Sequence, residues 1–261
     1  MDESSITEVT RVEQISKIYR QGDREVTALR EVSLSIKPGE FVAVMGASGS
    51  GKSTLMHLMA GLTRPTTGSV TIDGQKQASL TERNLTHFRR SRICVGIQAF
   101  NLIASLTSRD NILFPLYAAG QKDVDDSSLL SLAEKLGIAD RLGHRPDSLS
   151  GGEQQRVAIA RALITNPAIM FADEPTGSLD SVTGQSICEL LRQLCDRENR
   201  TMVVVTHEPS VAAWADRVVV LRDGAVLSEF ATADHRDAHS LAAHYQQLVG
   251  QQTVGDPALA R

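Results

Sequence analysis

Apolar and polar positions alternate with the period of two that marks half-buried strands over Val9–Ile18 and again over Ala28–Ile36, and Lys37-Pro38-Gly39 closes the pair with a turn. Phe41–Met45 is a short, wholly apolar run that enters a glycine-rich stretch, and a helical pattern follows over Ser53–Leu62. Gly68–Asp73 predicts a short strand ending at Asp73-Gly74. From about residue 99 to residue 163 the period turns helical, with Leu129, Leu130, Leu132, Leu136 and Ile138 expected on one apolar face. Buried-strand patterns return at Ala168–Ala172, Met202–Val205 and Arg217–Leu221. Asp223-Gly224 then predicts a hairpin into Ala225–Glu229. Short continuous apolar strands separated by helices predict an α/β sheet covered on both faces. The helical stretch between its two parts predicts an inserted helical subdomain. Residues 231–261 are more polar, with one amphipathic helix expected around Leu241–Leu248 and a tail rich in Gln, Gly and Pro.

Two stretches carry chemistry on this frame. Gly46-Ala47-Ser48-Gly49-Ser50-Gly51-Lys52-Ser53-Thr54 satisfies GxxxxGK[ST] between a predicted strand and a predicted helix. Glycines let successive backbone N–H groups point inward at an anion, and the following helix adds the positive end of its dipole. Lys52 is placed to reach the outer phosphates of a nucleotide, and the Ser53 hydroxyl to ligate Mg²⁺. The second ligand for that ion should be a carboxylate at the end of a neighbouring strand, and Asp173 fits, at the close of Ala168–Ala172. Glu174 beside it is a candidate to accept a proton from an attacking water.

Leu149-Ser150-Gly151-Gly152-Glu153-Gln154-Gln155-Arg156, followed by an alanine-rich helix, together with the phosphate loop resembles the ATP-binding-cassette (ABC) ATPase family from about Ile15 to Val226. The resemblance implies a P-loop NTPase (RecA-like) α/β core with an antiparallel β subdomain and an inserted α-helical subdomain. The cassette is expected over 5–230, the helical insert over about 99–163, and a polar C-terminal extension over 231–261. It further implies a head-to-tail homodimer with each ATP and Mg²⁺ between one protomer's phosphate loop and the other's Ser150, Gly151, Gly152 and Glu153. A helix opening on Ser-Gly-Gly presents free N–H groups to a γ-phosphate. Ser150 and Glu153 also form a capping box, which by itself finishes a helix start and is worth about 0.5–2 kcal/mol. Gln98 resembles the Q-loop glutamine that senses Mg²⁺ and water, Asp180 the D-loop aspartate at the dimer interface, His207 the switch histidine at the γ-phosphate, and Tyr19 the aromatic that stacks on adenine. Two departures stand out: Ile97 occupies the place of the usual aromatic before the glutamine, and Asn199-Arg200 that of a frequent glycine.

Glu25–Leu29, Phe100-Asn101-Leu102, Asn111-Ile112 and Pro115-Leu116 resemble the branch of lipoprotein release, macrolide export, haem export and the cell-division permease pair. That branch implies a separate integral membrane permease with an extracytoplasmic domain, export or extraction as the work, and a position on the cytoplasmic face of the membrane. Docking is expected near 98–116, with Phe100, Leu102, Ile103, Leu106, Phe114 and Leu116 as its apolar side chains. The alternative within the branch is a regulatory ATPase that signals through a membrane partner and transports nothing. The 261 residues hold 27 Lys+Arg against 31 Asp+Glu and only 4% aromatics, which argues against a nucleic-acid partner. The cluster at His87–Arg92 is expected to be a solvated connection. Apolar runs of about five residues fall far short of the roughly twenty a membrane span needs, and the acidic start MDESSITEVT has no apolar stretch of a secretory signal. Cys94, Cys188 and Cys195 have no metal-ligand spacing and fit a cytosolic protein; Cys188 and Cys195, seven apart in a predicted helix, are expected to pack as small apolar groups. His235 and His239, four apart, are expected on an exposed helix face.

Overall fold

The computed structural model describes residues 8–22, 24–95, 100–121 and 124–251. The chain opens with β1 (Thr10–Gln21), β2 (Arg24–Ile36) and β3 (Phe41–Met45), then α1 (Lys52–Met59), β4 (Thr67–Ile72) and β5 (Gln75–Lys76). Next come α2 (Glu82–Arg92), β6 (Ile93–Val95), α3 (Ser108–Ala118), α4 (Asp126–Lys135), α5 (Gly151–Leu163) and β7 (Ile169–Asp173). The last third holds α6 (Ser181–Glu198), β8 (Met202–Val205), α7 (Pro209–Ala212), β9 (Arg217–Arg222), β10 (Ala225–Ala231) and α8 (Ala238–Gln251).

Two sheets result. One runs β2-β1-β4-β5 and is antiparallel; the other runs β10-β9-β3-β8-β7-β6, parallel except at its β10 edge. The continuous apolar strands read from the sequence lie at the centre of the second sheet, and their alternate residues divide the core in two. Phe41, Ala43 and Met45 of β3 join Met170, Ala172, Met202, Val204, Val218 and Val220 against the helical side, α3 to α7. Val42 and Val44 join Ile169, Phe171, Val203, Val205, Val219 and Leu221 against α1 and the antiparallel sheet. This is an α/β core flanked by an antiparallel β layer and a helical insert, as expected.

Several expectations need correction. His87–Arg92 is no connection but the second half of α2, capped by Thr81. Its arginines are used: Arg89 Nη1 donates to the Gly61 carbonyl at 3.0 Å, and Arg92 pairs with Asp73. The apolar face expected around α4 breaks at Leu130, which is 46% exposed while Leu129, Leu136 and Ile138 are buried. The helical stretch expected over about 99–163 holds three helices, α3, α4 and α5. The amphipathic helix expected around Leu241–Leu248 is present as part of α8, with Leu241 buried in the helical-side core and Tyr245 and Leu248 packed against it. Arg222 Nη1 holds the far end of α8 through the Val249 carbonyl at 2.9 Å. His235 precedes α8, so it shares no helix face with His239; its ring instead packs among Phe230 and His244, with centroids 4.7–5.1 Å apart. Cys188 and Cys195 are buried on α6 as small apolar groups, and burial pushes both thiols up to about 12.

Candidate active site

The carboxyl ends of β3, β7 and β8 face one cleft of about 630 Å³, which is where a parallel sheet offers its loops to a ligand. Ser48, Gly49, Gly51, Lys52, Ser53 and Thr54 line one side, and Asp173, Glu174 and His207 the other. Val26, Thr27 and Ala28 of β2 complete the wall. Gly51 is the N-cap of α1 with φ +102°, and an added Cβ would lie 2.6 Å from the Ala28 carbonyl, so the loop admits only glycine there. Gly46 has the same restriction: a Cβ would come 2.3 Å from the Leu221 carbonyl and 2.5 Å from the Ser50 hydroxyl. Ser50 is buried beneath the loop with its hydroxyl unpartnered, and its carbonyl accepts from Gly224 N at 3.1 Å.

Lys52 lies across the loop, its Nζ donating to the carbonyls of Gly46 (2.7 Å) and Ala47 (2.9 Å). The Ser53 hydroxyl is 3.4 Å from Asp173 Oδ2, so the two groups expected to share a cation do meet. Glu174 takes a left-handed conformation, φ +46°, with its N–H donating to the Val205 carbonyl at 2.9 Å. Its carboxylate is held from three sides: Thr206 Oγ1 donates to Oε2 at 3.1 Å, while His207 N (3.2 Å) and Nδ1 (2.7 Å) meet Oε1. Sequence reasoning missed both Thr206 and Glu208, whose carboxylate gathers with the Glu174 carboxylate and a His207 ring nitrogen within 4.8 Å.

The electrostatics describe a cleft prepared for charge of both signs. Burial pulls the Lys52 ammonium below its usual range, against the pull of Glu174 and Asp173. Burial also pushes the Asp173 carboxyl up, and the adjacent Glu174 pushes it further. A polyanion beside Lys52 and a divalent cation between Ser53 and Asp173 would reverse both effects, so the donor set fits a magnesium–polyphosphate pair. The bond to Glu174 raises the pKa of His207.

The remaining predicted residues stand apart from this cleft. Ser150 caps α5 in a complete capping box, its N–H donating to Glu153 Oε2 at 2.8 Å; that bond, then Arg141, pulls the Glu153 carboxyl down to about 2. Gly152 has a packing reason that capping does not supply: a Cβ there would meet Thr183 Cγ2 at 2.8 Å. Asp180 caps α6 by accepting from Val182 N and Thr183 N, and its other oxygen accepts from Thr183 Oγ1 at 2.6 Å. Gln155, buried on α5, donates to the Pro175 carbonyl at 3.0 Å and so ties that helix to the turn bearing Glu174. Tyr19 is on β1 opposite Val26, a residue of the cleft wall, with Lys17 Nζ 5.0 Å from its ring centroid. Gln98 lies outside the described residues. Just beyond it, Arg161 of α5 donates to the Asn101 (2.7 Å) and Phe100 (3.1 Å) carbonyls, both residues being left-handed.

A sequence model of the ABC transporter family matches residues 29–177, more than half of the chain. The chain belongs to the ABC transporter family. It is an ATPase cassette of that family. It is 43% identical over 221 residues to the macrolide export ATP-binding/permease protein MacB of Syntrophobacter fumaroxidans, covering 84% of this chain and 31% of that one. The chain thus spans about a third of that relative's length. It is also 43% identical over 224 residues to an uncharacterized ABC transporter ATP-binding protein, MJ0796, of Methanocaldococcus jannaschii, covering 84% of this chain and 95% of the other. A dimeric post-hydrolysis structure of the MJ0796 cassette bound to ADP and Pi superposes with a TM-score of 0.76 at 42% identity, covering 85% and 98% of the two chains. The fold is shared with cbiO1 from Clostridium perfringens (TM-score 0.79, 24% identity, 97% of each chain).

Proposed function

We propose that this cassette hydrolyses ATP in a head-to-tail homodimer and drives a separate integral membrane permease, for export or extraction. The observation that carries the reading is the meeting of Lys52 and Ser53 with Asp173, Glu174 and His207 across one cleft. Phosphates lie on the N–H groups of Gly46 to Thr54, with Ser150, Gly151, Gly152 and Glu153 of a second copy closing over the γ-phosphate and Asp180 at the seam. Tyr19 stacks on adenine at the Val26 end. Ser53, Asp173 and Gln98 would hold Mg²⁺, which would offset charge on the nucleotide's phosphate groups. Glu174 orients the attacking water in line with the γ-phosphorus and takes its proton. Lys52 and the partner's helix N-terminus stabilise the charge on the transferred phosphoryl group. His207 trades its bond to Glu174 for one to the γ-phosphate.

A groove of about 420 Å³ lined by Cys94, Asn101, Ile103, Phe114, Pro115 and Arg161 offers the docking surface for the permease, with Phe114 45% and Tyr117 40% exposed. Among the described residues no helix is long and apolar enough to cross a membrane. The branch resemblance gives the permease an extracytoplasmic domain and the cassette a place on the cytoplasmic face. Affinity capture of the chain from membranes of its native host tests the partner: recovery of an integral membrane protein with few helices and a large extracytoplasmic domain is expected. Phosphate release from ATP and Mg²⁺ by the purified chain tests the chemistry. Absence of ATP turnover at any protein concentration would refute it.

A further inference from the structure

Glu174 is held by one donor that can leave, the His207 ring, and by two that stay, the Thr206 hydroxyl on Oε2 and the His207 backbone N–H on Oε1. His207 is exposed, and its ring reaches Oε1 from the solvent side. Thr206 is fully buried, and its hydroxyl donates to Oε2 while accepting from the Glu208 N–H at 3.0 Å. Its own N–H donates to the Val44 carbonyl at 3.1 Å, on the strand that leads into the phosphate loop. The hydroxyl is therefore fixed in the same frame as Lys52, and its single proton has the carboxylate as its acceptor. A carboxylate on a left-handed residue at the end of a strand has free χ rotations to lose when the His207 ring lets go.

We propose that Thr206 is the positioning residue of the hydrolytic reaction: it anchors Oε2 of Glu174 so that Oε1 points at the attacking water once the His207 ring has moved to the nucleotide. Thr206 touches neither nucleotide nor water; it acts through Glu174. The proposal rests on the reading of Glu174 as the base. A misaimed base slows the chemical step and leaves the phosphate loop intact, so the signature is in turnover and not in substrate affinity.

Steady-state ATPase assays on the purified chain, with thermal melts, test this. Thr206→Val, close in shape but without the hydroxyl, should lower kcat about ten- to hundredfold, as expected for one lost hydrogen bond to a charged group. KM for ATP should stay within about twofold. Thr206→Ser should restore kcat. Unchanged kcat in Thr206→Val overturns the proposal, as does a Thr206→Ser variant as slow as Thr206→Val. If Thr206→Val does not fold, Thr206→Cys replaces it, with the same kcat loss expected and parental turnover overturning the idea. Glu174→Gln separates the two readings. Parental turnover in that variant removes Glu174 as base, whereas a slow Glu174→Gln beside a normal Thr206→Val removes Thr206 alone. In the Glu174→Gln background, adding Thr206→Val should cause no further loss.

Discussion

His207 Nδ1 lies 2.7 Å from Glu174 Oε1, so the proposed switch histidine and the proposed base occupy each other. The pairing makes His207 a reversible cover on Glu174. It also raises the pKa of His207 above the ordinary 6.5. Folded-state stability from the pair is therefore fully present below about pH 6.5 and is lost as pH rises through the raised folded value. Without nucleotide, Tm of the parent minus that of His207→Gln should be largest near pH 5.5 and vanish at pH 9. With the side chain 69% exposed, the difference will be small. A difference independent of pH would mean the ring contributes no charge.

Glu174→Gln keeps the cleft's shape and loses the proton acceptor. It should bind ATP, accumulate as a closed dimer on size exclusion and release phosphate about 10²- to 10⁴-fold more slowly than the parent.

Lys52→Ala removes the ammonium that spans the loop through the Gly46 and Ala47 carbonyls. Nucleotide affinity measured by calorimetry should fall beyond detection. An affinity equal to the parent's would disprove the placement of the phosphates.

Gly152→Ala distinguishes packing from phosphate recognition. Its methyl group meets Thr183 Cγ2, whose rotamer is fixed by the hydroxyl bond to Asp180. The variant should lose about 1–3 kcal/mol by denaturant unfolding. Thr183→Ser, which removes the methyl and keeps the hydroxyl, should return most of it. Recovery of stability without recovery of ATPase activity assigns Gly152 a second duty at the partner's nucleotide.

Leu241→Ala tests whether the C-terminal helix belongs to the cassette. At 1% exposure within the helical-side core, the substitution should cost about 2–5 kcal/mol of unfolding free energy. A change below about 0.5 kcal/mol, the range of a surface substitution, would make α8 dispensable.

The sheet and the phosphate loop were legible because their signals are local. Five consecutive apolar residues at Phe41–Met45, too few for a helix and bounded by Pro38-Gly39 and Gly46, read as a strand buried on both faces, and glycines at 46, 49 and 51 mark a backbone able to approach an anion. What stayed hidden depends on distant neighbours. Arg24 to Thr27 extend β2 beyond the expected start at Ala28, yet all four are exposed, so no apolar alternation announces them. The arginines of α2 read as solvated because their partners, Gly61 and Asp73, lie well away along the chain. Leu241 looked like one residue of an amphipathic helix, since what buries it, α7 and the helical-side core, comes from elsewhere in the chain. Thr206 carries no signal of its own. Only the tertiary approach of β7 and β8 brings its hydroxyl to Glu174, though a Thr directly before a strand-end histidine could have been asked what it bonds.

The bond from Gln155 to the Pro175 carbonyl has a consequence at the level of the assembly. In the proposed dimer, the front of α5 reads the nucleotide bound by the second copy, while Gln155, about one turn further along the same helix, grips the turn that bears Glu174, the proposed base. A tilt of α5 caused by a phosphate leaving one composite site is thus felt as a twist of the base in the other. The pair of sites would then fire as a coupled clock, with turnover rising more steeply than first order in ATP, and cutting the Gln155 tether would let each tick alone.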